Sequence, residues 1–311
     1  MLRFRLTRNA RPNQTTYGLV TKIKLASLEA LLWTIHLIPL RTQSAIGWAL
    51  GRLLWRFDGS HRKIVRDNLA ICFPDWTPEK REVVAKESYC WFTRSVLERA
   101  NLRFYSRTQL ARHVSIEGDF GLAARARRPM MWLVPHCVGL DHVAMAPDVI
   151  GQRPLVTVYQ PPGDQAIDLC LQRIRKKYID VELINRFHGA RRLFRLIGTG
   201  HNFINFPDMD WSGPESEFIP FFGHPAATLL SPSRIARKFE MCVQPVTIEL
   251  LPGGQGYRIR FCDPLPDFPS DDPVADMNRF NQWLEAWIRE HPAQYMWTLE
   301  RFRTQAQGGA E

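Results

Sequence analysis

The chain has 311 residues, a net charge of +10, and 45% hydrophobic against 23% charged residues. That balance belongs to an ordinary globular protein and excludes a disordered chain, a collagen-like repeat and a polytopic membrane protein. Six cysteines (Cys72, Cys90, Cys137, Cys170, Cys242, Cys262) form no C-x-x-C pair, so they read as reduced thiols rather than a disulfide framework or a zinc ribbon.

Arg3, Arg5, Arg8 and Arg11 precede an apolar stretch, Leu25 to Leu40, in which Leu25, Leu28, Leu31, Leu32, Ile35 and Ile38 recur at helical spacing. Glu29 and His36 interrupt it, no Ala-x-Ala exit follows, and it falls short of the ~20 apolar residues that span a bilayer. A second stretch, Ala45 to Phe57, extends the apolar surface. Two placements stay open: a helix lying in the membrane interface, anchored by Trp33 and the arginines, or a first helix packed on the core.

Residues 59–113 are charged and helix-like, with a break at Phe73-Pro74-Asp75-Trp76-Thr77-Pro78. Thr77 then Pro78 predicts a helix start: a hydroxyl cap followed by a proline at the first helical position. From about 130, short apolar runs alternate with helical segments. Strands are predicted at Met130–Val134, Leu155–Tyr159, Val181–Ile184, Asn202–Phe206, Val243–Leu250 and Tyr257–Phe261. Helices are predicted at Gln165–Tyr178, Ala190–Ile197, Ser231–Phe239 and Asp276–Glu290. The fold class is therefore α/β, a mostly parallel central sheet covered by helices, with a hairpin at one end.

The informative stretch is Pro135-His136-Cys137-Val138-Gly139-Leu140-Asp141-His142. A strand delivers His136 to its carboxyl end, where open α/β sheets bind ligands. Asp141 follows five residues on and meets His136 only if it folds back from the first turn of the next helix. A carboxylate on one ring nitrogen raises the basicity of the other, which suits deprotonation of a substrate hydroxyl. Spacing alone fits equally a capping Asp beside an unrelated His. The basic surplus calls for an anionic partner. With no Lys/Arg tract interleaved with aromatics, nucleic acid is not indicated.

His-x-x-x-x-Asp after a strand resembles the signature of the glycerolipid/lysophospholipid acyltransferases. Other segments narrow the resemblance to the bacterial lipid A biosynthesis (lauroyl/myristoyl) acyltransferases: Arg66 to Pro74 (RDNLAICFP), Asn205 to Asp210 (NFPDMD), Phe218 to Thr228 (FIPFFGHPAAT) and Pro292 to Thr304. Departures are Asp141 where Glu is frequent, Cys137 for an aromatic and Glu300 for a basic residue. The resemblance implies acyl transfer from acyl-acyl carrier protein, or acyl-CoA, to a hydroxyl of a lipid A precursor at the cytoplasmic face of the inner membrane. His136 would be the base and Asp141 its orienting acid, with no metal, cofactor or covalent acyl-enzyme. Acyl carrier protein, the lipid A precursor and an anionic membrane surface are the implied partners. It divides the chain into a membrane-associating helical region (1–58), an acyltransferase domain (59–304) and a polar tail (305–311).

By the same resemblance Arg186 binds an anionic substrate group, as does one of Arg191 and Arg192, and Asp208 holds acceptor hydroxyls or Arg186. Phe218, Phe221 and Phe222 are candidates for an acyl channel or for plain core. The rival readings are a different lipid acceptor (a lysophospholipid or ornithine lipid), a non-catalytic anionic-lipid-binding protein, and a metal-dependent hydrolase. The hydrolase would take its ligands from His136, Asp141, His142, His201, Asp208 and Asp210.

Overall fold

The computed structural model describes residues 17–187 and 189–304. The arginines before residue 17 and the tail from 305 lie outside the described residues. The chain opens with α1 (Leu19–His36), α2 (Leu40–Phe57), α3 (Gly59–Cys72), α4 (Pro78–Phe104) and α5 (Arg107–His113). Then follow β1 (Val114–Gly118), α6 (Leu122–Arg125), β2 (Met130–Leu133), a 3-10 turn at Leu140–Met145, α7 (Pro147–Ile150), β3 (Leu155–Tyr159), α8 (Gln165–Arg175), β4 (Val181–Asn185), α9 (Ala190–Gly198) and β5 (Asn202–Asn205). The chain continues through β6 (Ser216–Phe221), β7 (His224–Leu229), α10 (Ser231–Lys238), β8 (Cys242–Leu250), β9 (Tyr257–Phe261) and α11 (Pro273–Glu290).

Seven strands form one sheet in the order β1-β9-β8-β2-β5-β3-β4, parallel except for the β8–β9 pair. All four residues of β2 are buried, as expected of a central parallel strand covered on both faces. The predicted hairpin is β8–β9, but it does not end the sheet, because β1 adds beyond it. Pattern reading misses β1, a five-residue edge strand with no continuous apolar run. It also misses the separate hairpin β6–β7, whose facing prolines, Pro220 and Pro225, argue against strand. That hairpin turns at Phe222-Gly223 with both φ values positive, the geometry of tight two-residue turns. Phe222 is held there because its N–H donates to Glu285 Oε1 at 2.7 Å.

Helix α4 starts as its sequence predicts: Thr77 Oγ1 accepts from the Lys80 N–H and Pro78 takes the first helical position. Across it lies α2, at a spacing that glycine alone permits. A Cβ on Gly51 would lie 2.5 Å from Cys90 Cα, and one on Gly47 2.7 Å from Arg94 Cα. Helix α1 is tied to the body by Lys24–Asp164 (2.8 Å) and by Glu29, which pairs with Arg103 (3.0 Å) and Arg173 (3.2 Å). Both helices carry large exposed apolar side chains: Leu19, Val20, Ile23, Leu31 and Trp33 on α1, Leu37 just past its end, and Ile46, Leu50, Leu53, Leu54 and Phe57 on α2. Among the described residues no single helix is long and apolar enough to cross a membrane; α1 and α2 meet at a bend of 118°.

Candidate active site

Strand β2 ends at Leu133, in register with Asn205 of β5, and the Val134 N–H still donates to the Asn205 carbonyl (2.9 Å). Both chains then leave the sheet at its carboxyl edge, which carries His136 two residues beyond Val134 and Asp208 three beyond Asn205. The C-terminal segment closes over them. Met296 N–H donates to the His136 carbonyl and Val138 N–H to the Gln294 carbonyl, each at 2.9 Å. Buried Asn68 of α3 fixes that segment in turn by donating to the carbonyls of Trp297 (2.8 Å) and Leu299 (2.7 Å).

His136 and Asp208 meet twice. The His136 backbone N–H donates to Asp208 Oδ2 at 2.9 Å, and the ring Nδ1 lies 2.7 Å from Asp208 Oδ1. A third donor, the Tyr295 hydroxyl, reaches Asp208 Oδ2 at 3.0 Å. Asp208 is fully buried, which by itself would push its carboxyl up; the facing imidazole and these hydrogen bonds outweigh burial and hold it below its ordinary value. The anion accepts from Nδ1–H, which leaves the lone pair on Nε2. Among the described residues Nε2 has no hydrogen-bond partner, and the His136 side chain keeps 13% of its surface open. Phe206 flanks the ring at 5.5 Å.

The acid that spacing assigned to His136 does something else. Residues 140–145 form a 3-10 turn, and Asp141 turns toward α4 and α8 rather than back to His136. Its carboxylate accepts from Arg99 Nε (3.0 Å) and Arg175 Nε (2.9 Å). Burial opposes the charge on Asp141, and the two guanidinium groups overcome it, so its carboxyl stays well below the usual range. The pairing of His136 with Asp141 is therefore corrected: Asp208 is the partner, and Asp141 clamps the motif loop to two helices.

Arg186 follows β4 at the same carboxyl edge. Its guanidinium lies over the Trp211 ring at 4.8 Å and donates to Gln160 Oε1 at 3.0 Å, with no carboxylate partner among the described residues. It does not touch Asp208, so the expected Asp208–Arg186 contact is absent. On α9, Arg192 is spent on Glu182 (2.8 Å), while Arg191 is exposed. Asp210 ties down the segment around Thr304, accepting from the Thr304 hydroxyl at 2.7 Å. Phe221 is fully buried and Phe222 nearly so, which makes them core; Phe218 is exposed.

The ligand set of the hydrolase reading does not assemble. His142 is buried with Nδ1 at the Gly139 carbonyl, His201 sits beside Thr199, and Asp141 faces arginines. Among the described residues no three His, Cys, Asp or Glu side chains converge as a metal site. Tyr295, Asn68, Arg99 and Arg175 were not among the predicted site residues. Tyr295 and Asn68 stand inside the quoted motifs, the one signal that marked them.

The model of the bacterial lipid A biosynthesis acyltransferases matches residues 14–304. The chain is 26% identical over 281 residues to the lipid A biosynthesis lauroyltransferase of Escherichia coli (strain K12), covering 89% of this chain and 90% of that protein. It is also 26% identical to the lipid A biosynthesis myristoyltransferase of the same strain, covering 88% and 85%. A crystal structure of the 1-acyl-sn-glycerophosphate acyltransferase from Thermotoga maritima aligns with a TM-score of 0.38 and 15% identity, over 81% of this chain and 99% of that one. With its α/β sheet and a histidine set at the carboxyl edge, the chain belongs to the bacterial lipid A biosynthesis acyltransferase family.

Proposed function

We propose that this acyltransferase moves a fatty acyl chain from acyl-acyl carrier protein, or acyl-CoA, to a hydroxyl of a lipid A precursor, with His136 as general base and Asp208 as its orienting acid. The observation that carries the reading is the 2.7 Å contact between His136 Nδ1 and the buried Asp208, which leaves Nε2 unpartnered among the described residues. Nε2 takes the proton of the acceptor hydroxyl as its oxygen attacks the thioester carbonyl. The resulting imidazolium is stabilised by the Asp208 anion, then returns the proton to the departing thiolate, so ester and free thiol leave together. No enzyme nucleophile is required. Cys137, the adjacent thiol, is buried and pushed up to about 12, which keeps it protonated. Arg186, uncommitted to a carboxylate, suits a phosphate of either substrate.

The acceptor is a membrane lipid, and the exposed apolar faces of α1 and α2 fit attachment to the inner membrane at its cytoplasmic face. The net charge of +10 favours an anionic surface and an acidic carrier. The test is mass spectrometry of lipid A from cells carrying the protein, lacking it, or carrying His136→Ala. One acyl chain of defined mass is expected to vanish in the last two. An unchanged profile overturns the reading, and a change confined to phospholipids or ornithine lipids moves the acceptor.

A further inference from the structure

A cleft of about 390 Å³ opens between the C-terminal end of α4 and α8, lined by Arg103, Leu169, Gln172, Arg173 and Lys176. It belongs neither to the sheet's carboxyl edge nor to the pair at His136. Of its three cations, Arg103 and Arg173 share one ion-pairing carboxylate, Glu29 of α1, and Lys176 has no ion-pair partner among the described residues; the one other carboxylate bonded to the lining, Asp168, is held by Gln172. The nearby carboxylate Asp141 is already occupied by Arg99 and Arg175 of the same helices and is not available as the counter-ion. An open cleft with two positive charges in excess calls for an anion. Helix α1, which supplies Glu29, presents exposed Trp33 one turn further on along the same flank, and exposed Leu37 follows just past its end. A small anion alone would leave that apolar flank unused, whereas an amphiphile uses both.

We propose that this cleft binds the phosphodiester headgroup of an anionic membrane lipid, distinct from the acyl acceptor, with the lipid tails lying along α1. The inference rests on membrane attachment through α1 and α2. Arg173 and Lys176 make the headgroup contacts and Leu169 packs against the glycerol. Arg103 mainly secures Glu29, so it is left intact in the test.

The test uses the full chain and co-sedimentation with vesicles of phosphatidylcholine alone or with one part in five phosphatidylglycerol, at fixed ionic strength. Arg173→Gln with Lys176→Gln is expected to lower affinity for the mixed vesicles at least tenfold, with binding to neutral vesicles and turnover on detergent-dispersed acceptor unchanged. Arg127→Gln with Arg128→Gln, two exposed arginines elsewhere, is expected to lower it no more than threefold. Equal losses in the two double variants would mean general charge attraction and overturn the site. A second arm adds inorganic phosphate alone: melting-temperature protection that the cleft variant loses, with its vesicle binding intact, assigns the cleft to a free anion and overturns the lipid. Failure of the unaltered protein to bind either vesicle defeats the membrane reading itself.

Discussion

Tyr295 donates its phenol proton to the same carboxylate, Asp208, that grips His136, at 3.0 Å against 2.7 Å. The two donors share one charge. The phenol fixes the carboxylate, and through it the direction of the His136 ring. In Tyr295→Phe, Asp208 Oδ2 loses one donor, and turnover is expected to fall roughly tenfold with KM and melting temperature nearly unchanged. A drop in melting temperature with turnover per folded molecule intact would make the tyrosine a packing residue only.

Two acids near the motif should separate by phenotype. Asp208→Asn removes the anion that sets the tautomer of His136, and kcat should fall by about 10³-fold or more with the fold retained. Asp141→Asn leaves Arg99 and Arg175 facing a neutral amide, and those arginines are about three-quarters buried. Stability should drop by about 2 kcal/mol, discounted for their exposure to solvent, while kcat per folded molecule changes little. Urea unfolding beside initial rates distinguishes them; interchanged phenotypes would restore Asp141 as the partner.

Acid should weaken the fold through His142. Burial first, and then nearby Arg99, push its imidazole down to about 3, against the partial opposition of Asp141. The unfolded chain takes up this proton near pH 6.5 and the folded one does not. The contribution is thus complete above that value and declines as pH falls toward 3, by up to about 1.4 kcal/mol per pH unit. His142→Phe preserves the contact with the Tyr257 ring, now at 4.5 Å, and should flatten the loss between pH 6.5 and 5. Urea midpoints at pH 7, 6 and 5 decide it; parallel curves for the two proteins would rule out His142 as the source.

The contact of α2 with α4 admits no side chain at Gly51. Gly51→Ala puts a methyl group 2.5 Å from Cys90 Cα, a backbone atom that cannot swing aside, and should cost about 1–3 kcal/mol. Gly59→Ala, where nothing lies within 4 Å, is the matched control and should be neutral or slightly stabilising. Thermal melting of the pair checks it, and equal melting temperatures would mean that the helices separate freely.

Much of the sheet was legible because its strands carry clear patterns, a nearly continuous apolar run in β3 and strict alternation of apolar and arginine residues in β9, and both have the predicted ends. The placement of His136 at a strand's carboxyl end was legible for the same reason. Its partner was not. Spacing arguments look along the chain, and the acid that meets His136 lies 72 residues away, brought in by the parallel register of β2 and β5. A 3-10 turn where an α-helix was expected then carried Asp141 to the other side. Edge strand β1 escaped because half-exposed strands carry too little apolar signal.

The Met296–His136 hydrogen bond and the Asn68 anchor have a bearing on biosynthesis. The histidine leaves the ribosome some 160 residues before Tyr295 and Met296 do. Until then one wall of its setting is missing and the acid beside it lacks a donor. Competence in transferring acyl groups is thus acquired only after residues 292–304 have emerged and folded back, and a chain cut before Tyr295 would be inert.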